Sequence, residues 1–216
     1  MTTFPGSPRL IKGGIVLIDP ETSTVKRIIA LQYNPETLTR SYQVKGVGGE
    51  GDTSEALRLT GPPVETFKLD AEIDATDLLE SADEDTVESG IHSQLAALET
   101  IIYPSSSQLT SNNSMAQSGV IEIVPMETAL TLFIWNKNRI LPVRLTEFSI
   151  TEEAFDINLN PIRAKVSLGM RVLSVDDVGF DHKGGNLYMN YQQNKERLAD
   201  MFSGSTLREL GIENIQ

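Results

Sequence analysis

The stretch Ile162-Arg163-Ala164-Lys165-Val166-Ser167-Leu168-Gly169-Met170-Arg171-Val172 alternates without a break. Ile162, Ala164, Val166, Leu168, Met170 and Val172 fall on one face, and Arg163, Lys165, Ser167, Gly169 and Arg171 on the other. A side-chain period of two is that of a half-buried strand. At about 3.3 Å per residue, such a strand is more than about 30 Å long.

Working outward, the neighbouring segments read the same way. Residues 139–151 form a second long strand: Leu141, Val143 and Leu145 share a face, then Phe148 and Ile150 take the opposite parity. A slip of one residue implies a bulge near Thr146 and Glu147. Residues 128–135 (TALTLFIW) are apolar on both faces and read as a central strand, joined to the next by the turn Asn136-Lys137-Asn138. Residues 66–74 place Phe67, Leu69, Ala71 and Ile73 on one face and Lys68, Asp70, Glu72 and Asp74 on the other. Three further strands are expected at 14–18, 25–33 and 39–45, separated by Asp19-Pro20-Glu21-Thr22 and Asn34-Pro35-Glu36-Thr37. Proline presets φ in such turns and Asp or Asn bonds back to the backbone.

The helical period appears twice. Val87, Ile91, Leu95, Leu98 and Ile102 recur every three or four residues, which predicts one helix over 85–103, capped by Asp85 or Thr86 and ended by Pro104. Tyr188, Tyr191, Leu198, Met201 and Phe202 predict another over 186–202, and 206–209 resembles a capping box for a last short turn. Residues 46–63 and 105–118 read as long polar loops. The expected architecture is mainly β (α+β): a curled sheet or small β-barrel with one flanking helix over 1–175, followed by a helical C-terminal extension over 176–216.

Composition narrows the function. The chain has 216 residues, enough for one domain with an appendage. It has no cysteine, which excludes a disulfide scaffold, a thiolate metal site and a thiol nucleophile. His92 and His182 stand ninety positions apart, which disfavours a histidine-rich metal site. The formal net charge of −12 argues against nucleic-acid binding. No apolar run matches a signal peptide or a membrane span, so a protein assembled in the cytoplasm without membrane insertion is expected, unless a larger particle carries it out of the cell or docks it at a membrane.

The acidity is local. No Lys or Arg occurs between Leu69 and Asn136, while Asp70, Glu72, Asp74, Asp77, Glu80, Asp83, Glu84, Asp85, Glu88, Glu99, Glu122 and Glu127 lie there. This is either a solvated face or one that repels or meets a charged partner.

No catalytic constellation emerges. Gly46-Val47-Gly48-Gly49-Glu50-Gly51 follows a strand, but Pro62-Pro63 and the lack of a following helix rule against a dinucleotide fingerprint. Asp70-Ala71-Glu72-Ile73-Asp74 resembles part of a calcium loop, but it alternates on a strand and lacks the turn glycine. Trp135 reads as a core residue. No catalytic, cofactor-binding or metal-ligating residue is assigned, and no enzyme activity is expected.

Two segments carry a family resemblance: Leu31-Gln32-Tyr33-Asn34-Pro35-Glu36-Thr37-Leu38-Thr39-Arg40-Ser41-Tyr42, and Leu141-Pro142-Val143-Arg144-Leu145-Thr146-Glu147-Phe148-Ser149-Ile150-Thr151-Glu152-Glu153-Ala154-Phe155-Asp156 running on through Asn158-Leu159-Asn160-Pro161-Ile162-Arg163-Ala164. Over about residues 10–175 the chain resembles the tube-domain family of contractile injection systems, the tube-initiator or baseplate-hub proteins of phage-tail-like particles. The resemblance implies a phage tail-tube β-barrel and a hexameric ring between the spike hub and the inner tube, or a second tube-initiator ring, among the baseplate proteins. It also implies that the loop 46–63 reaches an adjacent subunit or layer. Several tube-initiator relatives carry a LysM domain after the barrel, for which the residues after 175 are expected to leave too little room. The alternative reading is a non-catalytic β-domain that binds carbohydrate or protein.

Overall fold

The computed structural model describes residues 10–46, 58–80, 83–118, 129–205 and 207–213. Seven strands form one antiparallel sheet: β1 (Gly14–Ile18), β2 (Val25–Ala30), β3 (Thr39–Gln43), β4 (Val64–Asp74), β5 (Leu130–Asn136), β6 (Arg139–Phe155) and β7 (Pro161–Val172), in the order β2-β1-β5-β6-β7-β4-β3. The opening stretch of the sequence is β7, paired to β6 on one side and β4 on the other. Its apolar set Ala164, Val166, Leu168, Met170 and Val172 is buried.

β6 is the pivot. Its first residues pair with β5, and from Val143 onward it pairs with β7. The expected bulge falls between Leu145 and Glu147. It switches parity so that Phe148 and Ile150 stay packed against the core. Gly169 lies opposite, where a Cβ would stand 2.8 Å from that of Glu147; no larger residue fits beside the bulge.

The sheet curls strongly. Phe67 on β4 and Phe133 on β5 bring their rings to 5.5 Å across two intervening strands. Gln32, just past β2, donates from Nε2 to the Asp74 carbonyl at 2.6 Å and accepts from the Asp74 amide at 2.9 Å. In a flat sheet those strands would lie about 24 Å apart, five spacings of about 4.8 Å. The expected barrel is therefore met in part. The sheet rolls around one core, but among the described residues no backbone ladder joins its edge strands β2 and β3.

The described residues also form the helices α1 (Thr76–Glu80), α2 (Glu84–Ser89), α3 (His92–Glu99), α4 (Ser106–Gln117), α5 (Val175–Val178) and α6 (Lys183–Asp200), with a 3-10 turn at Leu207–Leu210. The single helix expected over 85–103 is broken. Asp83, rather than Asp85 or Thr86, caps α2 by accepting from the Thr86 amide at 3.1 Å. Gly90 (φ +58°) then interrupts the helix so that the Ile91 amide can donate to the Pro161 carbonyl at 2.9 Å. That approach carries Ile91, Leu95 and Leu98 into the core. The segment expected as a loop over 105–118 is largely α4. Ser105 and Gln108 form a reciprocal capping box, which the polar composition concealed.

α6 packs Tyr188 and Tyr191 into the main core, and Leu187 against a second apolar cluster of Ile18, Leu130 and Leu132. Helix α6 thus packs on the sheet.

Gly90 generates a test. An added Cβ would meet the Pro161 carbonyl oxygen at 2.3 Å, in a backbone conformation that non-glycine residues rarely adopt. Gly90→Ala is expected to lower unfolding free energy by at least about 1–3 kcal/mol. Urea titration measures it, and an unchanged midpoint would refute the close approach.

Candidate assembly surface

The charged faces of β4, β6 and β7 form one continuous surface. The antiparallel register sets Asp74 opposite Arg163, Glu72 opposite Lys165 and Asp70 opposite Ser167. Arg163 holds Asp74 at 2.8 Å, Lys68 holds Glu147 at 2.7 Å, and Lys165 holds Glu153 at 3.1 Å. Ser167 donates to Asp70 at 2.5 Å. The acids of β4 therefore do not make a like-charged wall, because β7 brings the cations that their own segment lacks. Exposed pairs of this kind add little stability. Their value lies in presenting both signs in fixed places. Acids with no cation beside them also gather elsewhere: Glu80, Glu84, Asp85 and Glu88 are exposed at the α1–α2 corner and in no ion pair among the described residues.

Asp74 is the best-held acid on this surface. The Thr76 hydroxyl and amide, and then Arg163, hold its carboxyl below the usual value of 3.8.

At the other end of β4, Glu65 is 3% exposed. Its Oε1 accepts from the phenols of Tyr42 and Tyr191, each at 2.9 Å, and Lys195 Nζ lies 3.5 Å from Oε2. Lys195 also sits over the Tyr191 ring at 4.3 Å. Burial first, and the Glu65 charge next, raise the Tyr191 hydroxyl well above the usual phenol value, so it stays a donor. A carboxylate out of water needs such partners. The cluster ties β3, β4 and α6 together. Residue-by-residue reading passed over Glu65, although the signal was present: it shares the parity of Phe67, Leu69 and Ala71, so an acid stands on the core face.

The other residues singled out in the sequence take structural places. Gly46 forms an isolated bridge with Leu59, and Gly48, Gly49 and Gly51 lie outside the described residues. Most of the expected loop 46–63 lies outside them too. His182 caps α6, its Nδ1 accepting from the Gly184 amide at 3.0 Å, while His92 begins α3 exposed. Trp135 packs near Phe133, ring centroids 6.1 Å apart, as a core residue should. Among the described residues no group of His, Asp or Glu is placed to hold a metal ion, and no helix is long and apolar enough to cross a membrane.

The family model for the contractile injection system tube protein matches residues 15–176, and the chain belongs to that family. The match runs from β1 into α5 and takes in the whole sheet. No curated protein matches the chain. Among solved structures, it is similar to a chain from the tail of an empty GTA particle with C6 symmetry, at 16% identity over 74% of this chain and 90% of that one, with a TM-score of 0.30.

Two tests follow from the charge arrangement. Tyr191→Phe removes one donor from a buried carboxylate, so it is expected to cost about 1–3 kcal/mol. It is also expected to speed amide exchange in α6 more than in β7. Equal exchange in both would refute the tie. A carboxylate held below its usual pKa stabilises the fold fully above pH 3.8, and that stability is lost as pH falls below it. Asp74→Asn is therefore expected to flatten the loss of stability as pH falls below about 4, measured by denaturant titration. An unchanged slope would contradict the assignment.

Proposed function

We propose that this chain is a structural subunit of a contractile injection system that forms a hexameric ring at the baseplate, joins the spike hub to the inner tube, and initiates tube assembly. The observation that carries the reading is the family match over residues 15–176, which spans the curled sheet. Its expected partners are further copies of itself, the spike or hub protein, and the inner tube or a second initiator ring. The reading assigns the chain no catalytic role, and it places the chain in a particle assembled in the cytoplasm.

Two features support an initiating position over one in a uniform tube. The helix α6 lies beyond the matched region, yet it is fastened to the sheet through Glu65 and Tyr191. The acids at the α1–α2 corner, in no ion pair, give one region of the subunit a negative charge, whereas the sheet surface mixes both signs. An adaptor between unlike layers needs unlike surfaces. A tube subunit repeating on itself needs only complementary ones.

The test is removal of the chain from the producing cell. The expected outcome is spike–hub complexes without attached tube or contracted sheath, restored by supplying the chain in trans. Full-length sheathed particles in its absence would overturn the initiating role.

A further inference from the structure

The residues that leave β3 and return into β4 are fastened to the C-terminal helices. Within this root, the Thr60 amide and hydroxyl both donate to the Lys45 carbonyl, at 3.0 and 3.1 Å. Gly46 and Leu59 form a bridge beside them. Lys45 Nζ then reaches Asp176 on α5 at 3.0 Å, across 131 positions of sequence. Gly61 lies so near the same carboxylate that an added Cβ would stand 2.9 Å from its Oδ2. The leaving side of the root at Lys45 and the returning side at Gly61 thus meet one side chain of α5.

A second tie lies a few residues further in. Tyr42 on β3 and Tyr191 on α6 both donate to Glu65 on β4. The two helices that make these ties are themselves fixed. Gly185 in the first turn of α6 comes so close to the Gly179 carbonyl at the end of α5 that no Cβ fits between them. Arg171 on β7 holds Asp177 of α5 at 2.6 Å.

Neither tie is strong alone. Lys45 and Asp176 are both partly exposed, and such a pair contributes little in isolation. The five residues of β3 are all exposed and pair only with β4 among the described residues. A short edge strand with few buried contacts opens easily by itself. Two ties that lead to one packed pair of helices behave differently. Each, once made, holds the partners of the other close.

We propose that α5 and α6 clamp the root of the β3–β4 connection, so that loosening the tie at Glu65 also frees the tie at Asp176. The family match ends at residue 176, so α6 brings to the clamp a part from outside the matched region. In the ring reading, residues 46–63 are the segment expected to meet a neighbour, and the clamp sets the position from which they do so. That consequence rests on the ring reading, and the clamp itself does not.

The test is hydrogen exchange on the isolated full-length chain, with the Thr60 amide as reporter and the amides of β7 as control. Tyr191 is bonded to Glu65 and makes no hydrogen bond to the root. Tyr191→Phe is nevertheless expected to speed exchange at Thr60 at least about threefold while β7 stays unchanged. Asp176→Asn alters a partly exposed side chain outside the core, and it is expected to speed Thr60 as well. In a clamp the second loosening adds less than the first, so the double variant is expected to fall short of the product of the two single effects. Unchanged exchange at Thr60 in Tyr191→Phe, an equal rise in β7, or two effects that simply multiply would overturn the proposal. Each of those results leaves the ring reading standing, because that reading fails only if the chain is absent from particles.

Discussion

The structure depends on β6 changing partners at Val143. Up to that residue the strand is bonded to β5, and from it onward to β7. A strand shared in this staggered way cannot lie in a flat sheet. The bulge after Leu145 adds local twist and resets which side chains face inward. Leu141 and Val143 on one side of the bulge, and Phe148 and Ile150 on the other, all reach the same core. The curl then brings Phe67 to Phe133 and Gln32 to Asp74. α3 lies over the resulting seam, and α6 packs its two tyrosines on the core.

The way the seam is closed bears on assembly. Arg27 on β2 donates to the Ala97 carbonyl and to the Thr100 hydroxyl, and Gln32 bonds the backbone of Asp74. Side chains and a helix replace the ladder that would seal a barrel. Edge strands are a template for pairing with other chains unless covered, and β2 and β3 both lie exposed at the sheet's edges. Beyond Val143, β6 has β7 on one side and no strand on the other among the described residues. A subunit with this much unpaired backbone and a projecting hairpin is suited to be completed by neighbours. The family to which it belongs is named for such an assembly.

Much of the sheet was legible in the sequence because alternation survives wherever one face is buried. The run from Ile162 to Val172, the parity slip in β6 and the alternating residues of β4 all mapped onto their strands and the bulge. Asp19 does bond the amides of Glu21 and Thr22, as its turn chemistry predicts. What escaped depends on distant partners. Gly90 breaks a helix whose apolar spacing continues through it, because Pro161 approaches from seventy residues away. α4 buries none of its residues, so no amphipathic pattern marked it. The acids of β4 read as part of a segment without cations because their counter-ions come from β7. Glu65 was visible only as a parity violation, and its meaning required Tyr42, Tyr191 and Lys195. Strand order, and hence the degree of closure, lies in pairings that a single sequence does not display.

The most direct test of the central claim is to recover the tagged chain from its native cell and image what comes with it by electron microscopy. The account predicts sheathed, syringe-shaped particles carrying the tag in a ring near the spike end. Recovery of free chain alone, from cells that hold intact particles, would contradict it.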